Sequence, residues 1–207
     1  MHWRNVLRFA RNDAIEWKVT DAHQERVNST DQTQNQRVDE LKRWRLPTQG
    51  RLKCNVDGSF YNETIEAAAG WVLRNEEGQF IGATQARGGK IGTALESELQ
   101  AILMALQHCW ALGHRKIILE SDCKKAVDII NNKSLNFAMY NWTREIRWWI
   151  QKFQEIKLQW IKREGNKPAD KLAKSITSTM APFYYHFYVP NVITDLLHED
   201  YVFSHLS

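Results

Sequence analysis

Leu52-Lys53-Cys54-Asn55-Val56-Asp57-Gly58-Ser59 is the stretch on which the reading of this chain turns. Leu52, Cys54 and Val56 alternate with Lys53, Asn55 and Asp57, the two-residue period of a strand with one face on a core. That alternation sets Asp57 on the face opposite the apolar residues, at the strand's end. Gly58 follows directly and admits backbone angles closed to other residues. Taken alone, an Asp-Gly-Ser tripeptide suits a plain turn better than a metal ligand. Three later carboxylates change that balance.

On the N-terminal side, Pro47 and Gly50 mark the entry into the strand. Basic residues collect just before it, at Arg37, Lys42, Arg43, Arg45, Arg51 and Lys53, a run that suits a solvated face or the start of a nucleic-acid contact. Arg4, Arg8 and Arg11 oppose Trp3, Leu7 and Ala10 at helical spacing, but Asp13 and Glu16 follow at once, which favours a surface helix over a transit segment. Polar residues 24–36 then read as linker, so residues 1–45 are expected to form a helical and flexible arm.

On the C-terminal side, residues 67–74 and 79–86 read as strands joined by the hairpin loop Asn75-Glu76-Glu77-Gly78. A helix is predicted over 93–112, with Leu95, Leu99, Ile102, Leu106 and Cys109 as its stripe and Gly113 as its stop. The β-branched run 116–120 predicts a buried strand and 124–131 a helix. Trp142, Ile146, Trp149 and Phe153 line one side of a helix over 141–154, with Trp148 off that stripe. A last strand over 157–162 precedes a helix over 167–178, where Pro168 suits the first turn. The expected fold is α/β: a five-stranded mixed sheet, three antiparallel strands and then parallel ones, flanked by helices across a domain of residues 46–180. An aromatic-rich tail, 181–207, is expected to pack on the domain or on a partner.

The 207 residues are 43% hydrophobic and 25% charged with a net charge of +4, a globular composition whose mild positive excess suits a polyanionic partner. Three cysteines without a Cys-x-x-Cys pair give neither a disulfide framework nor a zinc cluster, which points to a reducing, intracellular setting in nucleus or cytoplasm, with organelle import a weaker alternative. No apolar run approaches membrane-span length.

Glu98 falls beside the apolar stripe of its helix, where an unpaired charge is costly, whereas Glu96 points away. Asp122 ends a buried strand, where open α/β sheets place their sites, although it could equally cap the next helix. Asp170 lies in the first turn of the last helix, which the helix dipole favours in any case. Each acid has an ordinary explanation; the four together, in this order of elements, are harder to explain separately.

Val-Asp-Gly-Ser at 56–59, Ala-Gly-Trp-Val-Leu-Arg at 69–74, Glu-Leu-Gln-Ala-Ile at 98–102, Glu-Ser-Asp at 120–122 and Arg-Glu-Gly-Asn-Lys-Pro-Ala-Asp-Lys-Leu-Ala at 163–173 resemble the ribonuclease H type 1 domain, in particular its plant retroelement-derived, reverse-transcriptase-like branch. The resemblance covers about residues 44–178. It implies the ribonuclease H-like fold and a nuclease that cuts the RNA strand of an RNA–DNA hybrid. It further implies that Asp57, Glu98, Asp122 and Asp170 bind two Mg2+ ions, with Mn2+ as an alternative, and that Gly58, Ser59, Thr93 and Asn166 contact substrate, Thr93 through a phosphate. Two hard cations about 4 Å apart can clamp both the attacking and the leaving oxygen of a phosphodiester displacement. The sequence departs from the family at Phe60 to Glu66, which lacks glycine, and at Ala94 and Leu95, where the family carries hybrid-reading asparagines. It departs again at the 163–166 loop, which lacks the usual histidine. A domesticated module that holds nucleic acid without cutting it is therefore the second expectation, and a protein-interaction role for Trp148 and the aromatic tail the third.

Overall fold

The computed structural model describes residues 43–176 and 181–206. The expected N-terminal arm lies outside them, apart from residues 43–45. Strands β1 (Leu52–Ser59), β2 (Ala68–Arg74) and β3 (Phe80–Arg87) precede helix α1 (Ala94–Ala111), strand β4 (Lys116–Ser121) and helix α2 (Lys124–Ile130). Helix α3 (Tyr140–Ile150), strand β5 (Glu155–Trp160), helix α4 (Lys167–Lys174), strand β6 (Phe183–His186) and helix α5 (Thr194–Leu206) complete the order. Each element expected between residues 52 and 176 is present, with ends shifted by a few residues.

The sheet has six strands in the order β5-β4-β1-β2-β3-β6, not the expected five. The sixth comes from the aromatic tail: Phe183 to His186 pair antiparallel with Ala86 to Ala83 and cover the free edge of β3. Alternating aromatic residues suit a strand, but only β3's unpaired edge shows where this one belongs. β1–β2 and β2–β3 are antiparallel and follow directly in sequence, whereas β1–β4 and β4–β5 are parallel, β4 being reached from β3 through α1 and β5 from β4 through α2 and α3.

One face of the sheet presents Cys54, Val56, Trp71, Leu73, Ile117 and Leu119 to α1, α2 and α3, forming the main core. Ile146 is fully buried there, Trp142 and Trp149 pack against the same core, and Trp148 stays 53% exposed. The opposite face carries a smaller core, in which Val72 and Ala83 meet Leu172 of α4 and Ile193.

Beside that smaller core lies a polar network that the alternation of β1 places on the same face. Lys53 pairs with Glu120 at 2.8 Å, and Asn55 donates to Glu120 at 3.0 Å. Arg74 donates to Asn55 at 2.8 Å and pairs with Asp200 of α5 at 2.7 Å. Its guanidinium also sits 3.5 Å from the centre of the Trp44 ring. Of the basic run before the domain, Arg37 and Lys42 lie outside the described residues, Arg43 and Arg45 are exposed, and Lys53 is taken into the fold. Lys53 is buried, Arg51 pairs with Glu155 at 2.7 Å and Arg43 lies over Phe203. Among the described residues, no helix is long and apolar enough to cross a membrane.

Candidate active site

The parallel strands β1 and β4 end side by side, bringing Asp57 and Asp122 to the same edge of the sheet. Two glycines then let the helices carrying the other acids close in. A β-carbon on Gly58 would lie 2.3 Å from the Ser97 carbonyl oxygen and 2.7 Å from the Glu98 nitrogen, so only glycine lets β1 meet the first turn of α1. Gly70, the cross-strand partner of Asp57, leaves no more room: a β-carbon there would lie 2.4 Å from the Ala173 nitrogen and 2.7 Å from the Ala169 oxygen of α4. Gly58 thus admits the helix of Glu98 and Gly70 the helix of Asp170.

Asp57, Glu98 and Asp122 each offer a carboxylate oxygen within 4.8 Å of the others. Asp57 is 4% exposed, and its carboxyl is pushed up to about 9, first by burial and then by the charges of Glu98, Asp122 and Asp170. Glu98 is pushed up to about 8 by burial and by Asp122, partly offset by the Gly58 N–H, which donates to its Oε2 at 3.3 Å. Arg163 offsets only part of this on Glu98, and buried acids that raise one another in this way, with oxygen donors, suit a hard divalent cation.

Asp170 stands apart from this trio. Its Oδ1 accepts from Arg163 at 2.9 Å and from Lys174 at 2.6 Å, two cations that sequence reading did not single out. Lys174 follows Asp170 by four residues on α4, a spacing that could have flagged the pair.

Asp122 is not the cap of α2. Its Oδ1 accepts from the Asn166 side-chain amide at 3.3 Å, while Ser121 Oγ accepts the Cys123 N–H at 3.1 Å. Asn166, expected to contact substrate, is fully buried, and its amide also donates to the Val56 carbonyl at 3.0 Å. It ties the loop before α4 to β1 and offers substrate no surface.

Thr93 is the N-cap of α1, its hydroxyl accepting the Glu96 N–H at 3.2 Å. Glu96 reaches back to the Gly92 N–H at 2.8 Å, so its carboxylate serves the helix end and stays outside the trio. Ser59 lines a cavity of about 340 Å³ beside Tyr61, Arg87 and Lys174. A larger hollow of about 590 Å³, around Gly50, Arg51 and His114, opens at the far end of β1 from Asp57.

Comparison with known proteins agrees with this geometry. The chain is 28% identical over 169 residues to an Arabidopsis thaliana protein named "Putative ribonuclease H protein"; the match takes in 79% of this chain but spans about a quarter of that relative's length, 26%. Among solved structures, RNase H1 from the halophilic archaeon Halobacterium salinarum superposes with a TM-score of 0.57 at 23% identity, covering 60% of this chain and 96% of that one. LC11-RNase H1, solved in complex with an RNA/DNA hybrid, gives 0.53 at 19% identity, covering 59% and 94%. These two likenesses are of fold. The model of the family described as reverse transcriptase-like matches residues 55–176, more than half of the chain and the positions of Asp57, Glu98, Asp122 and Asp170, so the chain belongs to that family and carries its ribonuclease H-like domain.

Proposed function

We propose that this domain is a divalent-metal-dependent endonuclease that cuts the RNA strand of an RNA–DNA hybrid. The observation that carries the reading is the trio Asp57, Glu98 and Asp122, with ligand oxygens within 4.8 Å and two of its members raised by burial and mutual repulsion. Stability alone gives no reason to gather three acids there. Their oxygens would hold one Mg2+, and Asp170 would share in a second once Arg163 and Lys174 turn away. Bound there, the ions would activate water and neutralise charge building on the phosphate. Buried Asn166 fixes Asp122 against β1, and the Gly58 N–H fixes Glu98. Arg163 and Lys174, 67% and 50% exposed, stand where substrate phosphate could replace Asp170 as their partner. Ser59, half-buried at the end of β1, and Thr93, exposed at the start of α1, would serve as substrate contacts.

A second reading is a nucleic-acid-binding module without turnover. Asp170, held by two cations, favours it, as do Ala94 and Leu95 at the hybrid-reading positions. Cleavage of a labelled hybrid that requires Mg2+ and stops on chelation supports the first reading; salt-sensitive binding with no turnover supports the second.

A further inference from the structure

Away from the carboxylates, the C-terminal ends of α1 and α3 carry three tryptophans in a row. Trp110 meets Trp149 edge-on at 6.0 Å between ring centres, and Trp149 meets Trp148 edge-on at 5.4 Å. A cation stands at each end: the Arg115 guanidinium lies 4.3 Å from the Trp110 ring centre, and the Lys152 ammonium 3.7 Å from that of Trp148. Trp148 is 53% exposed and Trp110 36%.

The two cations differ from their neighbours in how they are engaged. Arg51, Lys53, Lys116, Arg163 and Lys174 each meet a carboxylate, whereas among the described residues neither Arg115 nor Lys152 forms an ion pair. Both rest on indole faces, a contact worth about 0.5–1 kcal/mol at an exposed site; Arg115 Nη1 also donates to the Trp110 and His114 carbonyls at 2.6 and 3.4 Å, bonds that leave its charge without a carboxylate partner. The acids nearest in sequence are Glu145, three residues before Trp148, and Glu155, three residues after Lys152, whose carboxylate is taken by Arg51 and Lys116. A row of partly exposed, mutually perpendicular indoles, bracketed by two cations without a carboxylate partner, has the chemistry of a contact surface for nucleobases with phosphate partners at either end.

The row is also distinct from the carboxylate site. Trp110 follows Glu98 by twelve residues on the same helix, about 18 Å along its axis at ~1.5 Å per residue. That span equals about five nucleotides of a strand advancing ~3.4 Å each.

We propose that Arg115, Trp110, Trp149, Trp148 and Lys152 form a docking surface for single-stranded nucleic acid, its bases lying against the indoles and its phosphates taken by the two cations. The surface works without metal and independently of whether the domain cleaves.

The test is anisotropy of a labelled oligothymidylate of about a dozen nucleotides, titrated with the full chain in EDTA across a range of salt. Trp148→Ala is expected to weaken binding at least fivefold. Lys152→Gln is expected to weaken it and to lower the slope of log affinity against log salt by roughly 0.7, one phosphate contact on a single strand. Wild-type melting in both variants ties those losses to the surface, and Lys152→Gln, whose ammonium lies outside the core, decides the matter if Trp148→Ala does not fold. Unchanged affinity and slope in both variants would overturn the proposal, as would a wild-type chain that binds no oligonucleotide. A wild-type dimer that Trp148→Ala turns into a monomer would assign the row to a protein interface instead. Since the readout is taken in EDTA, its failure leaves the cleavage reading standing, and loss of the cleavage reading leaves this result standing.

Discussion

Gly58 and Ser97 approach so closely that a β-carbon on the glycine would lie 2.3 Å from the serine's carbonyl oxygen. This contact sets how near the helix of Glu98 comes to the strand of Asp57. Gly58→Ala should push α1 away from β1, cost about 1–3 kcal/mol as overpacking, and weaken Mg2+ binding measured by calorimetry. Gly70→Ala, against α4, should destabilise to a similar degree while moving Asp170 rather than the trio. Equal metal affinity in wild type and Gly58→Ala would show that the close contact does not position the site.

Much of this was legible in the sequence, for physical reasons. Strand and helix periods are local, so β1 to α4 could be read from residues 52–176, and the acids could be placed on their elements. What escaped depends on long-range packing. β6 became a strand because β3 had a free edge, which no local pattern encodes. Lys53 read as solvated because its partner, Glu120, lies 67 residues away on β4. Asn166 was expected to contact substrate from the family resemblance alone, and only the fold shows it buried and donating into β1. The Asp-Gly pair was visible, but its reason, the close approach of α1, was not.

Without metal, the site should lose stability as pH rises. Asp57 and Glu98 ordinarily titrate at 3.8 and 4.5 and in the folded domain lie at about 9 and about 8. The folded state therefore holds protons that the unfolded chain releases. The resulting contribution is fully present below about pH 4 and is lost as pH climbs through 8 to 9. In EDTA, the melting temperature of Asp57→Asn relative to wild type should rise steadily from pH 5 to pH 9, and millimolar Mg2+ should reduce the difference. A constant offset between the two proteins across that range would contradict the proposed repulsion.

Arg74 and Asp200 predict how firmly the C-terminal helix is tied down. Asp200→Ala leaves a 1%-exposed guanidinium with Asn55 as its remaining polar side-chain partner, a loss of roughly 3 kcal/mol. For a chain of this length that corresponds to about 6–12 °C in Tm. Asp200→Asn, which keeps an acceptor, should lose less. If both variants melt with wild type, α5 adds nothing through this pair.

Glu98 and Glu96 separate metal binding from helix capping. Glu98→Gln should lose metal-dependent activity and, in EDTA, melt no lower than wild type. Glu96→Gln keeps an acceptor for the Gly92 N–H, should keep activity and should change stability by well under 1 kcal/mol. Activity lost in Glu96→Gln and kept in Glu98→Gln would reverse the assignment of the two acids.

The most direct measurement is cleavage of an RNA–DNA hybrid labelled on its RNA strand, by wild type and by Asp57→Asn at equal concentration, with Mg2+ and with EDTA. The account predicts RNA-strand cleavage by wild type with Mg2+, none in EDTA, and none by Asp57→Asn, whose circular dichroism and melting should show an intact fold. Cleavage by Asp57→Asn at the wild-type rate, or no cleavage by a folded wild-type protein in Mg2+ or Mn2+, would contradict it.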